Sequence, residues 1–458
     1  MERLRIVEKL KIFSFFSGSG FLDLGFELSG YEIDLVNEFS SSFIEAYKYS
    51  RYKMQLPKPV HGYSNIDVNE YLGARSDELK SEIALSRSDG SLVGFIGGPP
   101  CPDFSVAGKQ RGKDGDNGKL SMSYISLIVA QRPDFFLFEN VKGLWRTAKH
   151  RAYYEELKEL LRKAGYELTD RLTNSLEFGA PQDRDRILLF GVQKEVVNHY
   201  GLSITNFNWE KHIKYSLDEV KKMPWPAAES FVVDSAKECP TGIPKELTAQ
   251  YWFDKNDVEH HPNAKDHFVP RAGIQKMKTV DEGDDSKKSY KRIHRWRYSP
   301  TVCYGNNEVH LHPYKARRLS VAEALALQSL PKEFELPKEM SLSNKFKTVG
   351  NGVPFLLAKG IAQTIQDFFA GGNARILQGE MLFPVFFPGN RVQGFALFHH
   401  KRPPNDIHWG KYRESYGECD EMDKAMVLPA GSLPAGPAGA CTGGGLRRVG
   451  CECLAGRN

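Results

Sequence analysis

The chain has 458 residues, 41% of them hydrophobic and 26% charged, with a formal net charge of +5. These are the values of an ordinary water-soluble globular protein with room for more than one domain, and they exclude a chain disordered through most of its length. So mild a charge neither demands nor excludes a nucleic-acid partner. The seven cysteines are scattered, odd in number and without a CxxC pair, which points to a reduced protein of the cytoplasm with no structural metal. Met1–Lys11 is charged and lacks the apolar core of a signal peptide. No apolar run approaches the roughly 20 residues that cross a bilayer.

In chain order, Lys11–Phe16 reads as a short apolar strand, followed by a Gly-rich turn and a helix around Leu22–Leu28. Glu32–Val36 predicts a second strand, with a helix from about Ser40. Leu92–Ile96 is a buried strand, the run to Gln131 is helical, and Phe135–Phe138 is again a strand. A helix near Tyr153–Lys163 precedes strands at Glu167–Asn174 and Ile187–Val192. Such alternation predicts an α/β fold with a mostly parallel sheet covered on both faces. After about Glu195 it stops, and residues to 311 are richer in His, Trp, Lys and irregular turns. Helical signals return at Ser320–Ser329, where Ser320 and Glu323 form a capping-box pattern, and at Pro354–Phe369. The expected organisation is therefore a domain over 1–194, an insert over 195–311, completion of the first domain over 312–371, and an extension over 372–458. That extension turns Gly-, Ala- and Pro-rich from Leu428, which predicts disorder.

Phe13–Gly25 runs from a strand through Gly18 and Gly20 into a helix. The glycines let a ligand approach the main chain, and the turn offers N–H groups to a carboxylate or other anion. A dinucleotide fingerprint would place Gly at position 23, where Asp23 stands, which disfavours a nicotinamide enzyme. Glu38, about 20 residues on at a strand end, suits two ribose hydroxyls. An adenosyl ligand such as S-adenosylmethionine fits this pair of features; an ordinary βα turn with a surface Glu fits them equally well.

Three further segments carry chemistry. Gly97-Gly-Pro-Pro-Cys101-Pro-Asp-Phe-Ser105 closes a buried strand with a rigid turn and a cysteine that its surroundings must activate. Phe138-Glu139-Asn140-Val141 ends another strand in a Glu suited to acid work. In Gln182-Asp-Arg184-Asp-Arg186 the two arginines are two apart and share a face of an extended chain.

Pro-Pro-Cys-x-x-Phe-Ser, Glu-Asn-Val, Gln-x-Arg-x-Arg and the late Thr-Val-Gly-Asn-Gly-Val-Pro354 occur in the order found in DNA cytosine-5 methyltransferases. With the Phe-x-Gly-x-Gly turn, the chain resembles that family over about residues 11–370, in its bacterial restriction–modification form. The resemblance implies a Rossmann-like S-adenosylmethionine-dependent methyltransferase fold and a smaller, irregular target-recognition domain in the insert. It implies that Cys101 attacks carbon 6 of a flipped cytosine. Glu139 then contacts ring nitrogen 3 and the exocyclic amine, and Arg186 with Arg184 holds the base oxygen. Phe16, Gly18, Gly20, Glu38, Phe39, Pro99 and Asn351 match cofactor positions. The family's Asp-Ile dipeptide corresponds to Asn65-Ile66, with Asp67 just after, so the contact to the adenine amine falls to Asn65 or Asp67.

For the nucleic acid, Lys109, Gln110, Arg111 and Lys113 lie in a glycine-rich stretch where the family has its mobile loop. Lys288, Lys291, Arg292, Arg295 and Arg297 interleave with Tyr290 and Trp296 in the insert, a phosphate-binding composition. Duplex DNA is the implied partner of a monomeric enzyme, with room for a companion restriction endonuclease acting on the same site. The same chemistry on RNA, and a catalytically silent DNA-binding homologue, are the alternatives.

Overall fold

The computed structural model of the protein describes residues 9–100, 116–270, 273–287, 289–302, 308–374, 380–386, 392–399 and 425–429. Its centre is a seven-stranded sheet of β1 (Leu10–Phe15), β2 (Glu32–Asn37), β3 (Tyr63–Ser64), β4 (Leu92–Gly97), β5 (Phe135–Val141), β6 (Tyr166–Asn174) and β8 (Asp185–Gln193), in the order β3-β2-β1-β4-β5-β8-β6. The short β7 (Gln182–Asp183) pairs in parallel with β9 (Ser299–Pro300) outside that sheet. The strands from β3 to β5 are parallel, and β8 runs antiparallel to both β5 and β6. The expected strands all form. Helices Ser76–Ser86 and Leu342–Asn351 form in addition to the expected elements.

Strand side chains alternate between faces. Phe13 and Phe15, Phe95, Phe136 and Phe138, Ile187 and Leu189 all belong to one core with Leu79 and Ile83, Ile125 and Ile128, and Leu157 and Leu161. These come from helices Ser76–Ser86, Asp116–Gln131 and Ala148–Lys163. The intervening strand residues point the other way; Phe190 stacks on Phe207 and meets Phe368 of helix Phe355–Ala374 edge-on. A second core joins Phe21, Leu24 and Phe43 to Ala249, Trp252 and Phe253 and to Val321, Leu325 and Phe346. Helix Val321–Leu327 opens with the expected capping box between Ser320 and Glu323, and Arg317 adds a two-pronged contact to the same carboxylate.

Contacts divide the chain into two compact units. Val7–His199 with Ser203–Phe368 forms the larger, so most of the insert expected at 195–311 lies in the same unit as the sheet. The other holds Met1–Ile6, Tyr200–Leu202 and Phe369–Asn458. It contains an antiparallel three-stranded sheet of Glu380–Phe386, Val392–His399 and Ala425–Pro429. Among the described residues, no helix is long and apolar enough to cross a membrane.

Gly25 marks how tightly helix Phe21–Glu27 packs on helix Phe355–Ala374: a Cβ there would sit 2.6 Å from the Ala358 and Lys359 backbone. Backbone cannot swing aside as a side chain can. Gly25→Ala is expected to cost about 1–3 kcal/mol in denaturant unfolding, the usual range for overpacking; an unchanged midpoint would show that the helices slide apart freely.

Candidate active site

Loops at the carboxyl ends of parallel strands form the ligand-binding edge of such a sheet, and the strand order reverses between β1 and β4. The residues after β1 and β2 meet there. Glu38 accepts from the Gly18 amide at 2.8 Å and the Ser40 amide at 2.7 Å. Burial raises its pKa, and the two backbone donors oppose that rise. Both amide bonds are internal, so the Gly18 N–H serves the carboxylate rather than standing open, which corrects the expectation for that amide of the turn. Phe39 beside it is 73% exposed, a free aromatic face. Phe16 has a left-handed φ of 53° and packs edge-on against Tyr124.

The two glycines have different reasons to be glycine. Gly18 has φ 58° and open space where a Cβ would be, whereas at Gly20 a Cβ would come within 2.4 Å of the Tyr47 ring. Behind Gly20 lies Arg51, fully buried, which donates to the Gly20 carbonyl at 2.6 Å and to Glu27 at 2.8 Å. Thr348 donates to Ser19 at 2.8 Å, tying the turn to the helix that ends at Asn351, which is exposed. Arg51 and Thr348 were not legible as site residues because their partners lie 31 and 329 positions away.

Asn65 donates its amide to the Glu38 and Phe39 carbonyls at 2.7 and 2.8 Å. Asp67 caps the turn Val68–Leu72, accepting from the Asn69 backbone and side chain at 2.8 Å. Ile66 is half-buried against the core, and Pro99 is buried after β4.

At the other end of the edge, β8 pairs with β5 so that Arg186 stands opposite Val141. An antiparallel strand begins where its parallel neighbour ends, so Arg186 reaches Glu139, Nε to Oε1 at 2.5 Å, with both side chains about nine-tenths buried. A Cβ on Gly98 would lie 2.5 Å from Glu139 Oε2, so the carboxylate rests on that glycine's backbone. Cys101, three residues on, lies outside the described residues. Arg184 is buried and donates to the Gly350 carbonyl at 2.7 Å, whereas Arg186 reaches Glu139.

The basic run of the insert also divides. Arg292 is fully buried, donating to the carbonyls of Val280, Met277 and His312 and lying over the Phe231 ring at 3.7 Å. Desolvation lowers its pKa to about 10. Arg295 is buried in a two-pronged pair with Glu282 at 2.8 and 2.9 Å. Both were expected to meet phosphate, and both are instead internal braces. Lys291 and Arg297 are half-buried. Lys109, Gln110, Arg111, Lys113 and Lys288 lie outside the described residues. Glu229, Glu282 and His294 converge within 4.8 Å, and Lys237 and Arg295 already neutralise the two carboxylates.

The sheet order with one reversed strand is that of the Rossmann-like methyltransferases. Solved structures with this fold include a protein described as a DNA modification methyltransferase encoded within an E. coli prophage. It has TM-score 0.54 and 20% identity, covering 79% of this chain and 100% of that one. The Entamoeba histolytica methyltransferase EhMeth follows at TM-score 0.50 and 12% identity, covering 79% and 98%. Residues 10–367 match the model of the C-5 cytosine-specific DNA methylases. Type II methyltransferase M.NmeDI of Neisseria meningitidis serogroup C is 57% identical over 362 residues, 79% of this chain and 84% of the relative. M.FnuDI of Fusobacterium nucleatum is 30% identical over 373 residues, 78% and 96%. The chain belongs to the C-5 cytosine-specific DNA methylase family and is a DNA (cytosine-5)-methyltransferase of the bacterial restriction–modification kind.

Asp23 gives the site a pH signature. It is fully buried, and desolvation raises its pKa to about 6 despite Arg51 nearby. Ser14 and Tyr47 face it without a hydrogen bond of normal geometry. A folded-state pKa above the unfolded value means the native state is favoured below about pH 4 and loses that advantage as pH rises through about 6. Asp23→Asn is therefore expected to remove a fall in stability on the order of 2–3 kcal/mol between pH 4 and 7. Parallel melting curves of variant and parent across that range would speak against this assignment.

Proposed function

We propose that the enzyme takes its methyl group from S-adenosylmethionine and places it on carbon 5 of a cytosine rotated out of duplex DNA, through a bond between that base and Cys101. The observation that carries this reading is the buried Glu139–Arg186 pair resting on Gly98. Chain continuity tethers Cys101 within about 11 Å of that glycine, at 3.8 Å per residue. A sulfur, a carboxyl group and a guanidinium so tethered can surround one pyrimidine ring.

The cofactor end fits an adenosyl sulfonium. Gly18 leaves open space above the turn, the Ser17 hydroxyl is buried there without a partner, and Glu38 retains acceptor capacity for ribose hydroxyls. Phe39 offers a stacking face. Asn65 is the acceptor for the adenine amine, because both carbonyl contacts use its NH₂ and leave its oxygen outward, whereas Asp67 is occupied in capping. When bound, the group supplies a methyl on a positively charged sulfur that departs as a neutral thioether.

The protein's own part begins with the Cys101 thiolate adding to carbon 6, which moves the electron pair of the 5,6 double bond onto carbon 5. Glu139 at ring nitrogen 3 and the exocyclic amine stabilises the enamine so formed, and Arg186 holds Glu139 in place. Carbon 5 takes the methyl, then gives its proton to water acting as base; the electron pair left behind re-forms the 5,6 double bond and expels Cys101 as thiolate. Extrusion of the base costs a few kcal/mol, and basic residues outside the buried braces, Lys291 and Arg297 among them, supply phosphate contacts. In this reading the enzyme acts as a cytoplasmic monomer, with a companion restriction endonuclease on the same site, an arrangement suggested by the name type II methyltransferase that its relatives carry.

Labelled methyl transfer to unmethylated duplex DNA, with transfer RNA in parallel, is the direct test; label entering RNA alone would overturn the DNA reading. Cys101→Ser is expected to abolish transfer while DNA binding persists, and near-normal turnover of that variant would refute the mechanism. Gly98→Ala forces Glu139 aside, and a loss on the order of 100-fold in kcat is expected with an unchanged melting temperature. Parental kcat in that variant would mean that the carboxylate does not touch the base.

A further inference from the structure

The segment 182–186 carries three side chains two residues apart, each committed to a different element. Arg186 holds Glu139 at the base site and Arg184 holds the Gly350 carbonyl beside Asn351. The third, Gln182, is fully buried. Its amide nitrogen donates to the Leu327 carbonyl at 3.1 Å. Its oxygen accepts from the Val302 amide at 3.1 Å and, more loosely, from Arg184 Nη1 at 3.4 Å. Its main chain lies in register with Ser299, while Ser299 donates to the Pro181 carbonyl at 2.8 Å and Thr301 to the Asp183 carbonyl at 2.7 Å.

We infer that Gln182 is a positioning residue that sets the register between segment 299–302 and the arginine strand, so that displacement of the insert and of Arg184 and Arg186 occur together. Segment 299–302 is the part of the insert that follows its basic run, and it reaches the arginine strand through β9 and through the Val302 amide. An amide is the only neutral side chain of this length that can accept from Val302 and Arg184 while donating to Leu327. Main-chain pairing over two residues would otherwise leave this junction weakly specified. The coupling runs through hydrogen bonds of fixed direction, so a shift of the insert by a fraction of an ångström is passed to the guanidinium beside Glu139. This inference rests on the proposed seating of the base at Glu139 and Arg186, and the Gly98→Ala result bears on that seating alone.

The test is steady-state methyl transfer by the full-length enzyme, its Gln182→Met variant and its Gln182→Glu variant on duplex DNA containing the target, with melting temperature measured in parallel. Met keeps the length and loses every hydrogen bond; Glu keeps the acceptors for Val302 and Arg184, loses the donor to Leu327 and turns a second acceptor oxygen toward that carbonyl. The expected result is a fall in kcat per folded enzyme on the order of 10- to 100-fold for Met, with a smaller fall for Glu. The KM for the methyl donor should change less than kcat, since Glu38 and the Gly-rich turn are untouched and the cofactor side is reached through the Arg184–Gly350 contact alone. A purely structural role predicts lower melting temperatures with kcat per folded enzyme unchanged in both variants, and that result would overturn the inference. Should the Met variant fail to fold, the Glu variant decides it by the same criterion.

Discussion

The ion pair between Glu139 and Arg186 exists because one strand of the sheet runs against its neighbours. A wholly parallel sheet would have sent Arg186 toward the opposite edge, roughly 23 Å away over the seven residues of β5. With β8 reversed, its first residues lie beside the last residues of β5, and a carboxylate and a guanidinium from different parts of the chain share one small buried space. Gly98 has to be a glycine because that carboxylate occupies the place of its side chain. The chain thus leaves β4 at Gly98 directly against the charged pair.

Buried guanidinium groups recur as internal fasteners. Arg51 holds Gly20, Arg184 holds Gly350, and Arg292 collects the carbonyls of Met277, Val280 and His312. Arginine suits this work because five fixed donors can satisfy several backbone acceptors at once, and it keeps its charge when desolvated. The consequence is a rigid frame for both ends of the edge. A carboxylate that loses such a partner is left buried and uncompensated, so the frame is brittle toward substitution at either member.

Much of this was legible in the sequence, for reasons that differ by element. The strands read correctly because continuous apolar runs bounded by Gly and Pro admit few alternatives. Ser320 and Glu323 announced their helix because capping chemistry is local. Helix Ser76–Ser86 was passed over although Leu79 and Ile83 carry the i, i+4 spacing, since polar residues dominate the segment. Arg292 and Arg295 read as phosphate ligands because composition does not distinguish a wet guanidinium from a buried one. That distinction depends on the carbonyls of Met277 and His312 and on Glu282, which only folding brings together. Spacing two apart suggested one shared face for Arg184 and Arg186, but Arg184 goes to the Gly350 carbonyl, 166 positions away, and Arg186 meets the carboxylate.

The central claim is that Cys101 bonds to a base held by Glu139 and Arg186. The most direct measurement is intact-mass and peptide analysis of the enzyme incubated with the methyl donor and target duplex carrying 5-fluorocytosine, whose fluorine cannot leave as a proton does. A one-to-one protein–DNA adduct mapping to the peptide that contains Cys101 is the result the account predicts. Absence of an adduct from an enzyme that methylates ordinary DNA, or an adduct on another residue such as Cys239, would contradict it.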